Sequence, residues 1–326
     1  MKLPVSLIIP FHDSSHESLD IFLQSIMSWT KLPSEILLID SSLVKTEIRQ
    51  DFQRFCHQNN CSLSHNFISR EILYPGHARN IGMIKANFEY LAFLDVLTIA
   101  DQTWLENSFK QLQASNTLGL WGMTFYEAFS PKEEIIRAAT FGSNAIRTLP
   151  GSLIHKDIFK RCGYFLEHVR AGEDADWIKR VELHQINLER SNQVISYSGL
   201  LGFTYKSVLR KWFRNYRSAS DLPYISRHKD LYFYSISLGL IVLAYNWNWF
   251  WLDWQSTEQF YLPNITKISA LAVLLFYIFM RGGLLPMRKG VRWRFLLPLN
   301  IFRVSALSAS IDLIKFSAFV SSKFNK

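Results

Sequence analysis

Val5-Ser-Leu-Ile-Ile9, closed by Pro10, is a run with almost no polar face to turn toward water. Such a run reads as a strand buried on both sides, as strands in parallel sheets are. Downstream, Leu19, Phe22, Leu23 and Ile26 recur at helical spacing and predict a helix over Leu19 to Trp29. Glu35-Ile-Leu-Leu-Ile39 is a second buried strand, with Asp40-Ser-Ser at its C-terminal end. Strand, helix, strand is a βαβ unit, and it sets the class as α/β with a mostly parallel sheet. Ligands bind at the carboxyl ends of such strands, which places Pro10, Phe11 and Asp40 beside a pocket. Asp40 serves equally well as a turn residue satisfying its own backbone. Next, Gly76-His-Ala-Arg79-Asn80-Ile-Gly82 opens a helix expected to run to about Phe88, and Tyr90-Leu-Ala-Phe-Leu94 is a further buried strand ended by Asp95.

Ala171-Gly-Glu173-Asp174-Ala-Asp176-Trp177 puts three carboxylates on the first turn of an expected helix. Exposed N–H groups and the helix dipole keep acids ionised there. A carboxylate so held can take a proton from a substrate hydroxyl. The plainer alternative is a solvated helix start, where acids are common. Trp177 either stacks on a ligand or belongs to the core.

The chain has 326 residues, enough for one large domain or two smaller ones, with 48% hydrophobic and 15% aromatic residues. The apolar excess is concentrated after residue 230. A formal net charge of +9 suggests an anionic partner: nucleic acid, a phosphorylated ligand or acidic lipid. No zinc-finger pattern, recognition helix or RNA-binding aromatic signature is present, which argues against nucleic acid. Cys56, Cys61 and Cys162 are few and odd in number, fitting a reducing compartment and neither a disulfide framework nor a metal site. Met1 to Ile9 runs directly into a strand and is too short for a signal peptide, so the α/β part is expected in the cytosol.

Taken in order, Ile9-Pro-Phe11, Glu35 to Asp40-Ser41, Ala78-Arg-Asn-Ile-Gly82, Phe93-Leu-Asp95, Gly151-Ser-Leu-Ile154 and Gly172-Glu-Asp174 resemble the family-2 glycosyltransferases. The likeness covers roughly residues 4 to 220. Neither a glycine-rich dinucleotide fingerprint after the first strand nor a Walker phosphate loop is present. The resemblance implies a GT-A fold (Rossmann-like), with a nucleotide-sugar half at about 1–100 and an acceptor half at about 101–220. It implies a nucleotide-diphosphate sugar donor and transfer with inversion. Carried over by position, Pro10, Phe11 and Asp40 line the nucleoside site, and Arg79 lies near base and diphosphate, where a permanent cation suits an anion. Asp174 is the general base, with Glu173 beside it. Asp95 matches the first Asp of the family's DxD motif and would contact the ribose and a metal. The second Asp, the usual ligand of Mg²⁺ or Mn²⁺, is Leu97 here, and leucine supplies no oxygen to a hard cation. The family's metal-holding histidine is also missing from Val194-Ile-Ser-Tyr-Ser198. Either a weaker Mg²⁺ or Mn²⁺ site at Asp95 draws on Thr98, Asp101 or water, or cations such as Arg79 meet the leaving-group charge directly. The processive Gln-x-x-Arg-Trp motif is absent, implying one sugar per acceptor. The other reading is a non-catalytic membrane protein that keeps the fold to bind nucleotide-sugar or to scaffold glycan assembly, and Leu97 favours it.

After this domain, Tyr205 to Arg217 (within a helix at about 204–218) sets Val208, Leu209, Trp212, Phe213 and Tyr216 among five cations. That suits a lipid headgroup layer, or a helix packed on its own domain with a basic solvated face. A membrane region is expected over 231–326, with spans at about 231–252 and 264–281 and an amphipathic, re-entrant or third spanning segment at about 295–320. Trp247, Trp249, Trp251 and Trp254 suggest an interfacial belt. Basic residues flank the hairpin and acids (Asp253, Glu258) sit within it, predicting a cytoplasmic membrane protein whose catalytic domain is cytosolic. The expected acceptor is therefore a lipid-linked or polysaccharide glycan, and the hairpin offers a surface for an oligomer.

Overall fold

The computed structural model describes residues 2–12, 16–41, 46–58, 64–69, 73–219, 222, 238, 241–242, 245–255 and 260–324. The chain divides into two compact units, one of residues 1–128 and 145–201, the other of residues 129–144 and 202–326. The first unit holds the sheet. Its strands are β1 (Lys2–Phe11), β2 (Leu32–Asp40), β3 (Ser64–Ser69), β4 (Tyr90–Phe93), β5 (Thr98–Ile99), β6 (Gly119–Tyr126), β7 (Ile146–His155) and β8 (Glu189–Tyr197). Among the described residues they form one sheet in the order β3-β2-β1-β4-β7-β6-β8-β5.

From β3 to β4 all pairings are parallel, as the apolar runs predicted. Beyond β4 the sheet is mixed: β7 runs antiparallel to both β4 and β6, β8 parallel to β6, and β5 antiparallel to β8. Four of the seven pairings are thus parallel, in keeping with the mostly parallel sheet expected from sequence, and the three antiparallel ones all lie beyond β4. The second-half strands carry Arg147, Pro150 and Gly151, which break the apolar pattern; Gly151 has φ +84°, open to glycine and strained for other residues.

Strand alternation sorts side chains into two cores. Val5, Leu7, Ile9 and Phe11 point to one face, where they pack with α1 (His16–Met27), α2 (Thr46–Gln58) and α4 (Trp104–Ala114). Ile8, Leu37 and Ile39 point to the other, against α3 (Pro75–Lys85), α6 (Asp157–Cys162) and α7 (Glu173–Leu183). Helix α3 ends at Lys85, short of the expected Phe88. Asn87 leaves the helix and donates from its backbone and side chain to Glu35, at 2.9 and 2.6 Å, while Ser6 donates to the same buried carboxylate at 2.6 Å.

The second unit contains α5 (Pro131–Ala139), α8 (Tyr205–Ala219) and two long helices, Leu262–Arg288 and Asn300–Phe324. Both are long and apolar enough to cross a membrane. Only 11% of the apolar window of the first is buried, unlike a core helix of a soluble domain. They approach at Gly282, where a Cβ would sit 2.2 Å from Ser305 Oγ, so a small residue is required at this crossing. Of the segment expected at about 295–320, residues from Asn300 onward are continuous helix, after a turn at 297–299, and the expected span at 264–281 lies inside a longer one. Half of the span expected at 231–252 lies outside the described residues, as do Cys61 and Glu258. Cys56 and Cys162 are both buried. Residues 129–144 and 202–219 belong with the second unit, whereas the sequence suggested a boundary near 220.

Candidate active site

The motif Gly76 to Gly82 explains itself residue by residue. A Cβ on Gly76 would come within 2.3 Å of the Leu166 carbonyl oxygen and 3.2 Å of Glu173 Cγ, and one on Gly82 within 2.6 Å of Ile8. Glycine at these two places lets α3 press on both β1 and the segment before α7. Asn80 then clamps that segment: its Nδ2 donates to Phe165 O and Glu167 Oε1, both at 2.9 Å, and its Oδ1 accepts from Phe165 N at 3.0 Å.

Arg79, held by this clamp, is the hub. Its Nη1 donates to Glu173 Oε1 at 2.7 Å and its Nη2 to Asp95 Oδ1 at 3.2 Å. Arg79 and Glu173 expose 7% and 6% of their side chains, and Asp95 35%. Three segments far apart in sequence therefore meet at one guanidinium. Burial alone would lower the Arg79 pKa, but Asp95, Glu173 and Asp174 more than reverse this and raise it above its ordinary value, so the cation is permanent. Burial pushes the Glu173 carboxyl up to about 7; Arg79 opposes the shift and the charge of Asp174 adds to it. Asp174, half-buried on the first turn of α7, accepts from Ala175 N at 2.7 Å through Oδ1. Gly172, with φ 94°, makes the left-handed turn that starts the helix.

Two tyrosines that sequence reasoning missed complete the corner. The rings of Tyr126 and Tyr197, at the C-terminal ends of β6 and β8, lie 5.0 Å apart. Burial, then Asp95, pushes the Tyr197 hydroxyl up to about 12. Tyr126 is raised by burial, then by Tyr197, Asp95 and Asp174. The available signal was Gly199, where a Cβ would collide with the Tyr197 ring at 2.1 Å.

The other expected residues divide. Asp40 is fully buried at the end of β2, in register with Phe11, and Ser41 ties the two strand ends together through Phe11 O. Phe11 is 3% exposed and belongs to the core, and Pro10, on the other side of β1, is half-buried. Asp176 is no surface decoration. It is 2% exposed and pairs with Arg180 at 2.9 Å, while Arg180 also donates to the carbonyls of Cys162 and Tyr164. Trp177 is core: it is fully buried, stacks on Phe159 at 4.6 Å and donates to Gly163 O.

Three carboxylates, Asp95, Glu173 and Asp174, act on the Arg79 guanidinium. Hard oxygen donors with negative charge fit a divalent ion, and Mg²⁺-type ions commonly use one or two carboxylates with substrate phosphates. Asp95 is the donor available, as Leu97 is half-buried and its carbonyl is taken by Ser198 N and Oγ. Asp101 is committed to Thr103, accepting from its N and Oγ1 at the start of α4, and these bonds hold its carboxyl below the usual range. Among the described residues one group places three ligand atoms within 4.8 Å of one another: Glu89, His155 and Asp157. It could hold a divalent ion too, but Tyr90 and His155 pair at the opposite end of β4 from Asp95.

No family model matches the chain, and no curated protein matches it. Among solved structures it is similar to the mannosyltransferase PcManGT from Pyrobaculum calidifontis, in complex with GDP-Man and Mn²⁺. That likeness has a TM-score of 0.60 at 13% identity, over 100% of this chain and 88% of the other. The chain has a GT-A fold. A likeness to residues 1–349 of S. aureus TarS has a TM-score of 0.46 at 15% identity, over 100% of this chain and 92% of the other. The GT-A unit places Arg79, Asp95, Glu173 and Asp174 at one corner, beyond the carboxyl ends of its parallel strands, where ligands of such sheets bind.

Proposed function

We propose that the chain is a membrane-anchored, inverting glycosyltransferase that moves one sugar from a nucleotide-diphosphate donor to a lipid-linked or glycan acceptor. The observation that carries this reading is the bridge from Asp95 through Arg79 to Glu173, one residue from Asp174. It joins a donor-side acid to an acceptor-side acid around a fixed cation. The similar fold of a mannosyltransferase that binds GDP-Man and Mn²⁺ supports it.

In this mechanism Asp174 takes the proton from the acceptor hydroxyl as that oxygen attacks the anomeric carbon from the face opposite the leaving group. Glu173 is buried and bonded to Arg79, so it positions the guanidinium and leaves Asp174 as the accessible base. Arg79 keeps one face of positive charge toward the diphosphate. Asp95 would hold a divalent ion together with the donor's phosphates, and the ion would neutralise charge on the departing diphosphate. Asp40, at the strand ends, closes the nucleoside side. The two long apolar helices, with exposed Trp247, Trp251 and Trp254, support placement in a membrane; the cytosolic side for the GT-A unit rests on the charge pattern of the sequence alone.

Leu97 favours the other reading, a GT-A protein that binds a nucleotide-sugar without turning it over. Incubating the purified chain in detergent with a panel of nucleotide-sugars, with and without Mn²⁺, separates the two. The enzyme releases nucleotide diphosphate from at least one donor; binding of a donor without release across the panel would leave the non-catalytic reading standing.

A further inference from the structure

The long helices of the second unit carry a charged cluster that sugar transfer does not use. Arg281 Nη2 donates to Asp312 Oδ1 at 2.9 Å, the Tyr277 hydroxyl to Asp312 Oδ2 at 3.0 Å, and Lys315 Nζ stands 3.8 Å from the same Oδ1. Lys315 also lies 4.8 Å above the Trp212 ring of α8. Lys289 completes the group. Its Nζ donates to Thr140 O at 2.6 Å, and its own carbonyl accepts from Ser143 N and Asn144 N, so its backbone is fixed. Burial first, and then the charges of Arg281 and Lys315, push the Lys289 ammonium down, with Asp312 opposing.

Two cations, Arg281 and Lys315, thus lie within 4 Å of one carboxylate, and Lys289, just past the end of the helix that carries Arg281, adds a third positive charge. The side chains of Arg281, Asp312 and Lys315 are 21%, 18% and 23% exposed, neither sealed nor freely solvated. Arg281 Nε is buried with no acceptor. Positive charge in this surplus is costly among apolar helices unless an anion meets it, and ionisable groups within such helices mark sites of function. A carboxylate ligand would cancel only part of the surplus. A phosphomonoester carries about −1.5 to −2 and three acceptor oxygens, which matches a guanidinium fork and two ammonium groups. Phe276, Phe279 and Leu313, sequence neighbours of the cluster, are 64%, 56% and 64% exposed, an apolar surface for a hydrocarbon chain.

We propose that Arg281, Lys289 and Lys315 bind the phosphomonoester headgroup of a membrane lipid. The inference rests on the membrane placement proposed above and not on the transfer chemistry, so a chain that turned over no nucleotide-sugar would leave it intact.

The test is binding of the full chain to phosphatidylcholine vesicles doped with phosphatidic acid, or with phosphatidylglycerol at matched surface charge. Wild type prefers phosphatidic acid. Lys289→Gln/Lys315→Gln, which keeps the Arg281–Asp312 pair, loses about thirtyfold of that affinity. It still partitions onto phosphatidylcholine, whereas a failure to partition in both proteins would overturn the membrane placement itself. Lys289→Arg/Lys315→Arg restores the preference. Competition by inorganic phosphate would show that the headgroup alone suffices, and its absence that the acyl chain is needed; both support the site. Equal affinity for phosphatidic acid and phosphatidylglycerol, or no change in the glutamine variant, would overturn it. Asp312→Asn gives a second check with the opposite sign, since removing the competing carboxylate tightens binding of phosphatidic acid.

Discussion

Replacing Arg79 by glutamine removes the one cation shared by Glu173 and Asp95. Both Arg79 and Glu173 are more than nine-tenths buried, so Glu173 is left as a charge without a partner in a site closed to water. Removing one partner of such a pair costs about 3–5 kcal/mol. The Asp95 contact adds little, because that carboxylate is about one-third exposed and solvent screens it. The loss should depend on pH. Without Arg79 the burial effect on Glu173 is unopposed, so its carboxyl takes up a proton more readily and the uncompensated charge disappears in acid. Denaturant unfolding of wild type and Arg79→Gln in detergent, followed by circular dichroism at about pH 5 and about pH 8, measures both effects. The variant should lose the full amount at the higher pH and clearly less at the lower. The double variant Arg79→Gln/Glu173→Gln should recover much of the loss, because two neutral side chains can bond each other. A loss under about 1 kcal/mol at both pH values, well below the buried-pair range, would refute the reasoning.

Asn80→Ala leaves the buried Phe165 N–H without an acceptor and should cost about 1–3 kcal/mol, with a lowered turnover as α7 loosens, read by unfolding and by nucleotide release. In wild type, Glu173 has a raised pKa in the folded state. Its contribution is therefore complete below the ordinary carboxylate range near pH 4.5 and is lost as pH rises through about 7, so Glu173→Gln should flatten stability over that window. Leu97→Asp adds an oxygen ligand beside Asp95 and should lower the Mn²⁺ concentration needed for half-maximal release; an unchanged titration would mean that Leu97 does not border the ion.

The first half of the fold is legible because its information is local. Val5 to Ile9, Glu35 to Ile39 and Tyr90 to Leu94 are short and predominantly apolar, and the observed strands contain them almost to the residue. The second half was harder. β7 inserts in the sheet between two strands that both precede it in sequence, and Arg147, Pro150 and Gly151 disguise it. The acids of the site were visible as residue types, but their pairing was not. Arg79 and Glu173 are 94 residues apart, and no periodicity links them. Asp176 shows the same limit from the other side. On the helix turn it resembles its neighbours Glu173 and Asp174; its i,i+4 pairing with Arg180 is local, but the burial of that pair comes from packing the sequence does not display. Tyr126 and Tyr197 escaped notice because their role comes from strand register, in which they face each other directly.

The central claim is that Asp174 accepts the proton of the acceptor hydroxyl in a sugar transfer. The direct test compares wild type with Asp174→Asn, using whichever nucleotide-sugar the wild type consumes and measuring both donor affinity and the rate of nucleotide diphosphate release. The account predicts unchanged donor affinity and a rate lower by about 10²–10⁴-fold. Equal rates for the two proteins would contradict it.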